Sequence, residues 1–443
     1  MGELEIGLLL CIATFVVLLA GVPIAFGLTV ISVGFLAGFG DPGALASIAG
    51  TFIDELSSFA LLALPMFIVI GAAIGMSPAG KDLYESLHRW LHRLPGGLVI
   101  ANILGCGLFS ALSGSSPATA AAIGKIGIPE MIKRGVPARL ASGSIASGGT
   151  LGILIPPSIT LIVYGIVTQT SIGRLFLAGV VPGFLLISIF SVYAWLMTVI
   201  SQRRDRHLGS VEETEHYTLA EKMTGLARVL PFLGIIGAIT FFMYGGYATP
   251  SEVAGIAAFL VLVLVATIYR KYRVADIWPI MASATRDSTM VLLIVAAAAL
   301  YAYMMSYLYL TQSIAEWVFN LDLSIWQLLL ALNAFLLVAG FFLPAVSIIL
   351  MSMPILHPVL VQSDINLIWF AIIMTINLEI GMITPPLGLN LFVLRGIAPE
   401  VSMQDIMIGS LPFVALMLLF IVFLCVFPGV VTWLPDLLMG PGL

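Results

Sequence analysis

Residues 148–158 read Gly148-Gly149-Thr150-Leu151-Gly152-Ile153-Leu154-Ile155-Pro156-Pro157-Ser158. They lie inside an apolar stretch long enough to cross a bilayer, yet no continuous helix can run through them. Pro156 and Pro157 lack a backbone N–H and clash with the preceding turn. Each glycine costs about 1 kcal/mol in a helix interior. The helix therefore breaks, leaving carbonyls of one half and amides of the next without intrahelical partners. In hydrocarbon each such group costs several kcal/mol, so a break persists only where it lines a cavity or a site. The device returns about 229 residues later as Gly381-Met382-Ile383-Thr384-Pro385-Pro386-Leu387-Gly388-Leu389-Asn390. Two broken helices at matching places in two halves point to the binding site of a secondary transporter.

The rest of the chain has the composition such a site requires. Of 443 residues, 60% are hydrophobic and 9% charged, against roughly 25% charged in soluble proteins. That composition gives a polytopic membrane protein, and the spans and hairpins read along the chain make it all-α. The net charge of -5 says little, because charges act here through their placement. Cys11, Cys106 and Cys425 lie far apart in apolar runs, without metal or redox spacing. The first apolar run is flanked by Glu3 and Glu5 and has no basic residue before it, so it reads as a retained helix and not a secretory signal.

Working outward, the first half predicts helices over residues 6–19, 24–39 and 60–76, with Asp54 and Glu55 ahead of the third. Residues 81–93 alternate apolar Tyr84, Leu87, Trp90 and Leu91 with charge at helical spacing. That pattern suits a helix lying along the membrane surface, or a solvated loop helix. Residues 98–112 and 117–132 form two short apolar runs, each about 24 Å as helix against a core of roughly 30 Å. Between them Ser113-Gly114-Ser115-Ser116-Pro117 makes a polar tip, with Ser116 suited to an N-cap and Pro117 to the first helical position. This is a re-entrant hairpin, or else two tilted spans with a tight turn. The broken helix follows at 139–167 and a further span at 176–200, and then a hydrophilic linker.

The second half repeats the plan, with spans at 229–245, 253–269 and 290–308. A second amphipathic segment at 312–322 follows, then a short pair at 327–342 and 345–361, the second broken helix at 366–394 and a last span at 411–427. Pro23 pairs with Pro250, Pro117 with Pro344, Pro129 with Pro354, Pro156-Pro157 with Pro385-Pro386 and Pro182 with Pro412, all about 225 to 230 residues apart. The division expected is scaffold 1–80, surface arm 81–95, transport part 96–200, linker 201–228, scaffold 229–311, arm 312–323 and transport part 324–443. With Met1 outside, Lys and Arg gather on one side, Arg174 excepted, and that side is the cytoplasm. The halves then run in opposite senses, as inverted repeats.

Inverted repeats bring both tips and both breaks to the midplane. Helix carbonyl ends there suit a dehydrated monovalent cation, and amide ends suit a carboxylate. The residue reading is two cation sites, one per half, flanking one anionic substrate. Hydroxyls of Ser113, Ser115, Ser116, Thr150, Ser158, Thr160 and Thr384 could serve either, as could Asn390. The plainer alternative for each hydroxyl is a bond to the carbonyl four residues back. Glu379, beside the second break, could relay protons, pair with a cation or be a structural carboxylate. Glu252 reads as a partner of a helix N-terminus, and Lys125 and Arg395 as snorkelling residues. Gly75-Met76-Ser77-Pro78-Ala79-Gly80-Lys81 begins like a phosphate loop, but Asp82 stands where Ser or Thr is required and no strand precedes it. Neither nucleotide nor nucleic acid is expected. No hydrolase or protease arrangement occurs in the spans.

Ser113–Ala118, the Gly148–Ser158 break and Thr384-Pro385-Pro386-Leu387-Gly388-Leu389-Asn390-Leu391-Phe392 resemble the large membrane subunit, DctM or SiaM type, of tripartite ATP-independent periplasmic (TRAP) transporters. The resemblance spans the chain from the first helix to the end. It implies an elevator fold of the ion-transporter superfamily in a bacterial inner membrane, where the outer side that charge placement assigns to the N-terminus is the periplasm. It also implies Na+-driven uptake of an organic acid, a C4-dicarboxylate, sialic acid or similar carboxylate, through two or more Na+ sites. The partners implied are a periplasmic substrate-binding protein (DctP or SiaP type) and a small membrane subunit (DctQ or SiaQ type), expected as a separate chain because this one starts directly at the large subunit. Carried onto this sequence, one Na+ site lies among Ser113, Ser115, Ser116, Gly148, Gly149 and Ile155. The other lies among Gly340, Met382, Thr384 and Pro385, where the second tip has no hydroxyl and must use backbone. Substrate is placed near Ser116, Ser158, Thr160 and Asn390. A carrier or antiporter of the same superfamily that needs no binding protein is the alternative.

Overall fold

A computed structural model describes residues 2–204, 217–385 and 388–440. Pro386 and Leu387, from the second break, and residues 205–216 of the linker, Arg206 included, lie outside the described residues.

Every regular element among the described residues is helical. The first half comprises α1 (Glu3–Leu19), α2 (Ile24–Phe39), α3 (Pro42–Ala46), α4 (Ile48–Leu56), a 3-10 turn at Phe59–Leu62, α5 (Ala63–Gly75), α6 (Ala79–Leu91), α7 (Gly97–Ser113), α8 (Ser116–Lys133), α9 (Ala138–Leu151), α10 (Ile159–Thr168) and α11 (Ile172–Arg204). The second comprises α12 (Leu219–Tyr244), α13 (Pro250–Ile268), α14 (Val274–Tyr307), α15 (Leu310–Asn320), α16 (Ile325–Gly340), α17 (Ala345–Gln362), α18 (Leu367–Met382), α19 (Leu389–Ile397), α20 (Met403–Val426) and α21 (Gly429–Met439). Six of the described helices (α11, α12, α13, α14, α17 and α20) are long and apolar enough to cross a membrane, or seven spans if the bent α3–α5 stretch counts as one. The chain is a multi-pass membrane protein.

Local chemistry explains the starts. Thr249 and Glu252 make a capping box with Pro250 in the first turn of α13, so Glu252 serves the helix N-terminus. Ser324 with Gln327 does the same for α16, and Asn366 caps α18 through the amides of Ile368 and Trp369. Both breaks are present: residues 152–158 separate α9 from α10, and α18 ends at Met382, ahead of α19.

Several expectations need correction. Asp54 and Glu55 lie on α4, which the sequence reading left out; Asp41 starts this region by accepting from the amides of Gly43 and Ala44. The third helix enters through a 3-10 turn, bent by 56° from the segment before it. Helix α14 begins at Val274, not near residue 290, because Arg286 and Asp287 sit exposed while Ala284 and Ser288 face inward. Helix α12 begins at Leu219, within the expected linker, on a Thr218–Glu221 capping box. Helix α21 follows the last expected span. Hydropathy marks only the apolar part of a helix, whereas backbone hydrogen bonding carries it into water. The first arm, α6, buries Leu83 and Tyr84 and packs on α7 and α12, while Trp90 of the expected apolar face stays exposed. Asp82 there accepts from Tyr269 Oη at 2.9 Å and pairs with Arg228.

Packing sorts the helices and interleaves the halves. Helices α2, α5, α13 and α14 pack among themselves. Helix α9 is surrounded by α7, α8 and α20. Each half's broken helix also lies against the other half's hairpin: α10 on α17, and α19 on α8. This exchange brings residues of both halves to one centre.

Candidate functional site

The first break supplies one wall. Ser158, fully buried, caps α10 by accepting from the Leu161 amide at 3.3 Å. Thr160 and Ile155 are buried beside it. At the end of α9, the Gly149 carbonyl accepts from Ser110 Oγ of α7 at 3.2 Å. Gly148 and Gly149 form the last turn of α9, and a Cβ on Gly149 would sit 3.0 Å from the Ser116 carbonyl oxygen. Glycine is what lets the hairpin tip and the broken helix touch backbone to backbone. Thr150 takes a local course close to the plainer one, donating three residues back to the Ser147 carbonyl at 2.6 Å.

The hairpin tip supplies the second wall, and here the capping assignment shifts by one residue. Ser115, not Ser116, is the N-cap of α8, its side chain accepting from the Ala118 amide at 3.4 Å. Both are serines, and Pro117 is tolerated at either of the first two helical positions because amides there lack partners in any case. The shift frees the Ser116 hydroxyl, which donates to Glu379 Oε2 of α18 at 2.5 Å. Ser113 Oγ lies 3.0 Å from Thr119 Oγ1. Ser113 and Ser116 are both buried.

The second break closes the centre. Thr384 Oγ1 donates to the Ile380 carbonyl at 2.6 Å, the four-residue back-bond. Met382 is buried and Pro385 half-buried. Gly340, ending the first arm of the second hairpin, meets Gly381 so closely that a Cβ on Gly381 would fall 2.4 Å from the Gly340 carbonyl carbon. Asn390 of α19, also buried, donates through Nδ2 to the Ala146 carbonyl of α9 at 3.4 Å.

The expected residues thus fall into two linked groups. Ser113, Ser115, Ser116, Gly148 and Gly149 meet where α7, α8 and α9 pack, and Gly340, Met382, Thr384 and Pro385 lie where α16 approaches the end of α18. Ser116–Glu379 and Asn390–Ala146 bond across the halves. Among the described residues no hydrogen bond joins Ser158 or Thr160 to Asn390. Sequence reasoning missed Ser110, and it missed the pair Asn333 and Asn377, whose Nδ2 donates to Asn333 Oδ1 at 2.7 Å and ties α16 to α18. Polar residues recurring on apolar helices were the only signal for them.

Chemically, the centre is rich in unused acceptors. Asn377 Oδ1, Glu379 Oε1 and Asn390 Oδ1 are buried without a hydrogen-bond partner among the described residues. Buried polar atoms are almost always satisfied by protein, water or an ion. Oxygen acceptors left over beside the carbonyl ends of two broken helices fit a cation. Amides at the starts of α10 and α19, without intrahelical partners, are the donors available to an anion.

The family model "Tripartite ATP-independent periplasmic transporter, DctM component" matches residues 11–430. The C4-dicarboxylate TRAP transporter large permease protein DctM of Pseudomonas aeruginosa is 36% identical, covering 89% of this chain and 90% of that protein. Its counterpart in Vibrio cholerae is 35% identical over 98% of each. Among solved structures, the Alcanivorax borkumensis YdaH transporter superimposes with a TM-score of 0.68 at 16% identity, over 96% of this chain and 99% of that one. That likeness concerns the fold.

Proposed function

The chain belongs to the DctM component family of tripartite ATP-independent periplasmic transporters, and from that premise we propose that it carries a small organic acid inward across a bacterial inner membrane, driven by Na+. It is a transporter permease subunit, not an enzyme. The carboxylate, of the C4-dicarboxylate or sialic-acid kind, is delivered by a periplasmic binding protein, and a small membrane subunit completes the assembly. The N-terminus faces the periplasm.

The observation that supports this reading best is the meeting of the two breaks, with Asn390 of one half bonded to Ala146 of the other. Carbonyl ends and leftover acceptors hold cations near Ser113, Ser115, Ser116, Gly148, Gly149 and Ile155, and near Gly340, Met382, Thr384 and Pro385. Amide ends of α10 and α19, with Ser158, Thr160 and Asn390, hold the carboxylate. Each cation so bound lowers the cost of bringing an anion into a low-dielectric centre. Residues 96–200 and 324–443 move together against the scaffold of 1–80 and 229–311, carrying the loaded centre across as an elevator.

Proteoliposomes containing the chain and its small subunit test this, with a binding protein outside and a panel of labelled dicarboxylates and sialic acid. Accumulation that needs both the binding protein and an inward Na+ gradient is the expected result. Accumulation without binding protein would instead make the chain a self-sufficient carrier.

A further inference from the structure

The buried carboxylate of Glu379 is an acidic side chain at the centre that this function leaves unused. Its position is unusual on three counts. It is 1% exposed. Oε2 accepts from Ser116, which belongs to the other half of the chain. Oε1 has no partner among the described residues, and no ion pair with Glu379 occurs among them. A buried carboxylate left half-satisfied costs far more in its charged form than a neutral side chain of the same shape, so the charged form calls for a compensating cation or else a proton.

The surroundings indicate which ligand. Ser116 spends its proton on Glu379, so the lone pairs of its Oγ remain free to accept. The Ser116 carbonyl adjoins Gly149, at the end of α9. Glu379 Oε1, Ser116 Oγ and the Ser116 carbonyl can each offer oxygen here. The described residues contain no cluster of three His, Cys, Asp or Glu, and a single carboxylate matches a monovalent cation better than a divalent one.

Resting on the reading that cations drive this transporter, we propose that Glu379, carried by the second half, is an anionic ligand of the first half's cation site, and that it also orients Ser116 toward the cation. Neither half then holds a complete first site. Cation binding would join hairpin α7–α8 to helix α18, so occupancy of the site and packing of the halves become one event.

The test is Na+-dependent thermal stabilisation of the full chain in lipid nanodiscs, titrated against choline at constant ionic strength. Glu379→Gln keeps the shape and removes the charge. The half-saturating Na+ concentration should rise at least tenfold, and Ser116→Ala added to Glu379→Gln should cost less than it does alone, because the two act on one cation. Glu379→Asp, which keeps the charge one methylene further back, should fall between; it also serves if the Gln variant does not fold. A half-saturating concentration within twofold of wild type in Glu379→Gln, or in Glu379→Asp and Ser116→Ala together, overturns the proposal. A wild-type protein that does not respond to Na+ overturns the cation-driven reading itself, a result distinct from a variant that responds normally.

Discussion

Ser116 Oγ and Glu379 Oε2 lie 2.5 Å apart although 263 residues separate them in the chain. The bond crosses from the tip of one half's hairpin to the broken helix of the other. Hydrogen bonds to charged groups contribute about 1.5–3 kcal/mol, and stranding a buried partner costs at least as much. Ser116→Ala is expected to lower the melting temperature in choline, where no Na+ effect enters, while membrane insertion is unchanged. Thermal unfolding in nanodiscs measures this. An unchanged midpoint would mean that the bond contributes nothing to the fold.

The glycine pair at the second site makes a steric prediction. Any side chain on Gly381 would collide with the Gly340 carbonyl, which is backbone and cannot swing away. Overpacking of this kind costs about 1–3 kcal/mol. Gly381→Ala should therefore loosen α16 from α18 and lower the melting temperature, whereas Gly34→Ala, on an open helix face, should not. Equal midpoints for the two variants would refute the close approach.

Thr384 separates backbone from hydroxyl coordination. Its hydroxyl is already committed to the Ile380 carbonyl, though the oxygen retains lone pairs. If that oxygen belongs to the second cation site, Thr384→Ala should raise the Na+ concentration needed for half-maximal uptake several-fold and Thr384→Ser should restore it. Equal Na+ requirements in Thr384→Ala and wild type would leave only carbonyls at that site.

These residues also mark how far the sequence could be read. Pro156-Pro157 and the matching second break were legible because helix-breaking is a property of residue type, independent of what packs nearby. The spacing of prolines pointed to helix interruptions at both places, and the helix boundaries show them after Leu151 and after Met382. The Ser115 cap was missed by one position because adjacent serines satisfy the same rule. Glu379 stayed ambiguous for a different reason: burial and the partner that relieves it are tertiary facts, and nothing local distinguishes a carboxylate facing Ser116 from one facing headgroups. Asn333 and Asn377 stood out only as polar residues on apolar helices, and their pairing is a tertiary fact of the same kind. Helices α4 and α21 escaped because neither breaks nor spans announce them.

Arg174, the basic residue that broke the charge asymmetry, has a structural use. It pairs with Asp436 at 3.4 Å and donates to the carbonyls of Met439 and Gly440, at the end of α21. A cation at a helix C-terminus is favourable by roughly 0.3–1 kcal/mol. Arg174→Gln should thus release α21 without altering the global melting temperature. Hydrogen exchange over residues 429–440 reads it directly: faster exchange confined to that segment is expected, and unchanged exchange would show that α21 is held by its apolar contacts alone.

Asp41 gives a pH dependence whose sign is fixed by geometry. Its carboxylate accepts from Tyr307 Oη at 2.5 Å and from the amides of Gly43 and Ala44 at 2.8 and 3.1 Å. These bonds, that of Tyr307 foremost, hold its carboxyl below the ordinary carboxylate value. A group depressed in the folded state binds its proton more weakly there than in the unfolded chain. Its contribution is therefore fully present above the unfolded value, about pH 4, and is lost as pH falls through the lower folded value. Asp41→Asn, which keeps an acceptor and removes the charge, should be less stable than wild type near neutrality and should converge with it on acidification. Comparing the two melting curves from neutral pH downward tests this, and a constant gap across the carboxylate range would show that the Tyr307 contact does not depend on the charge of Asp41.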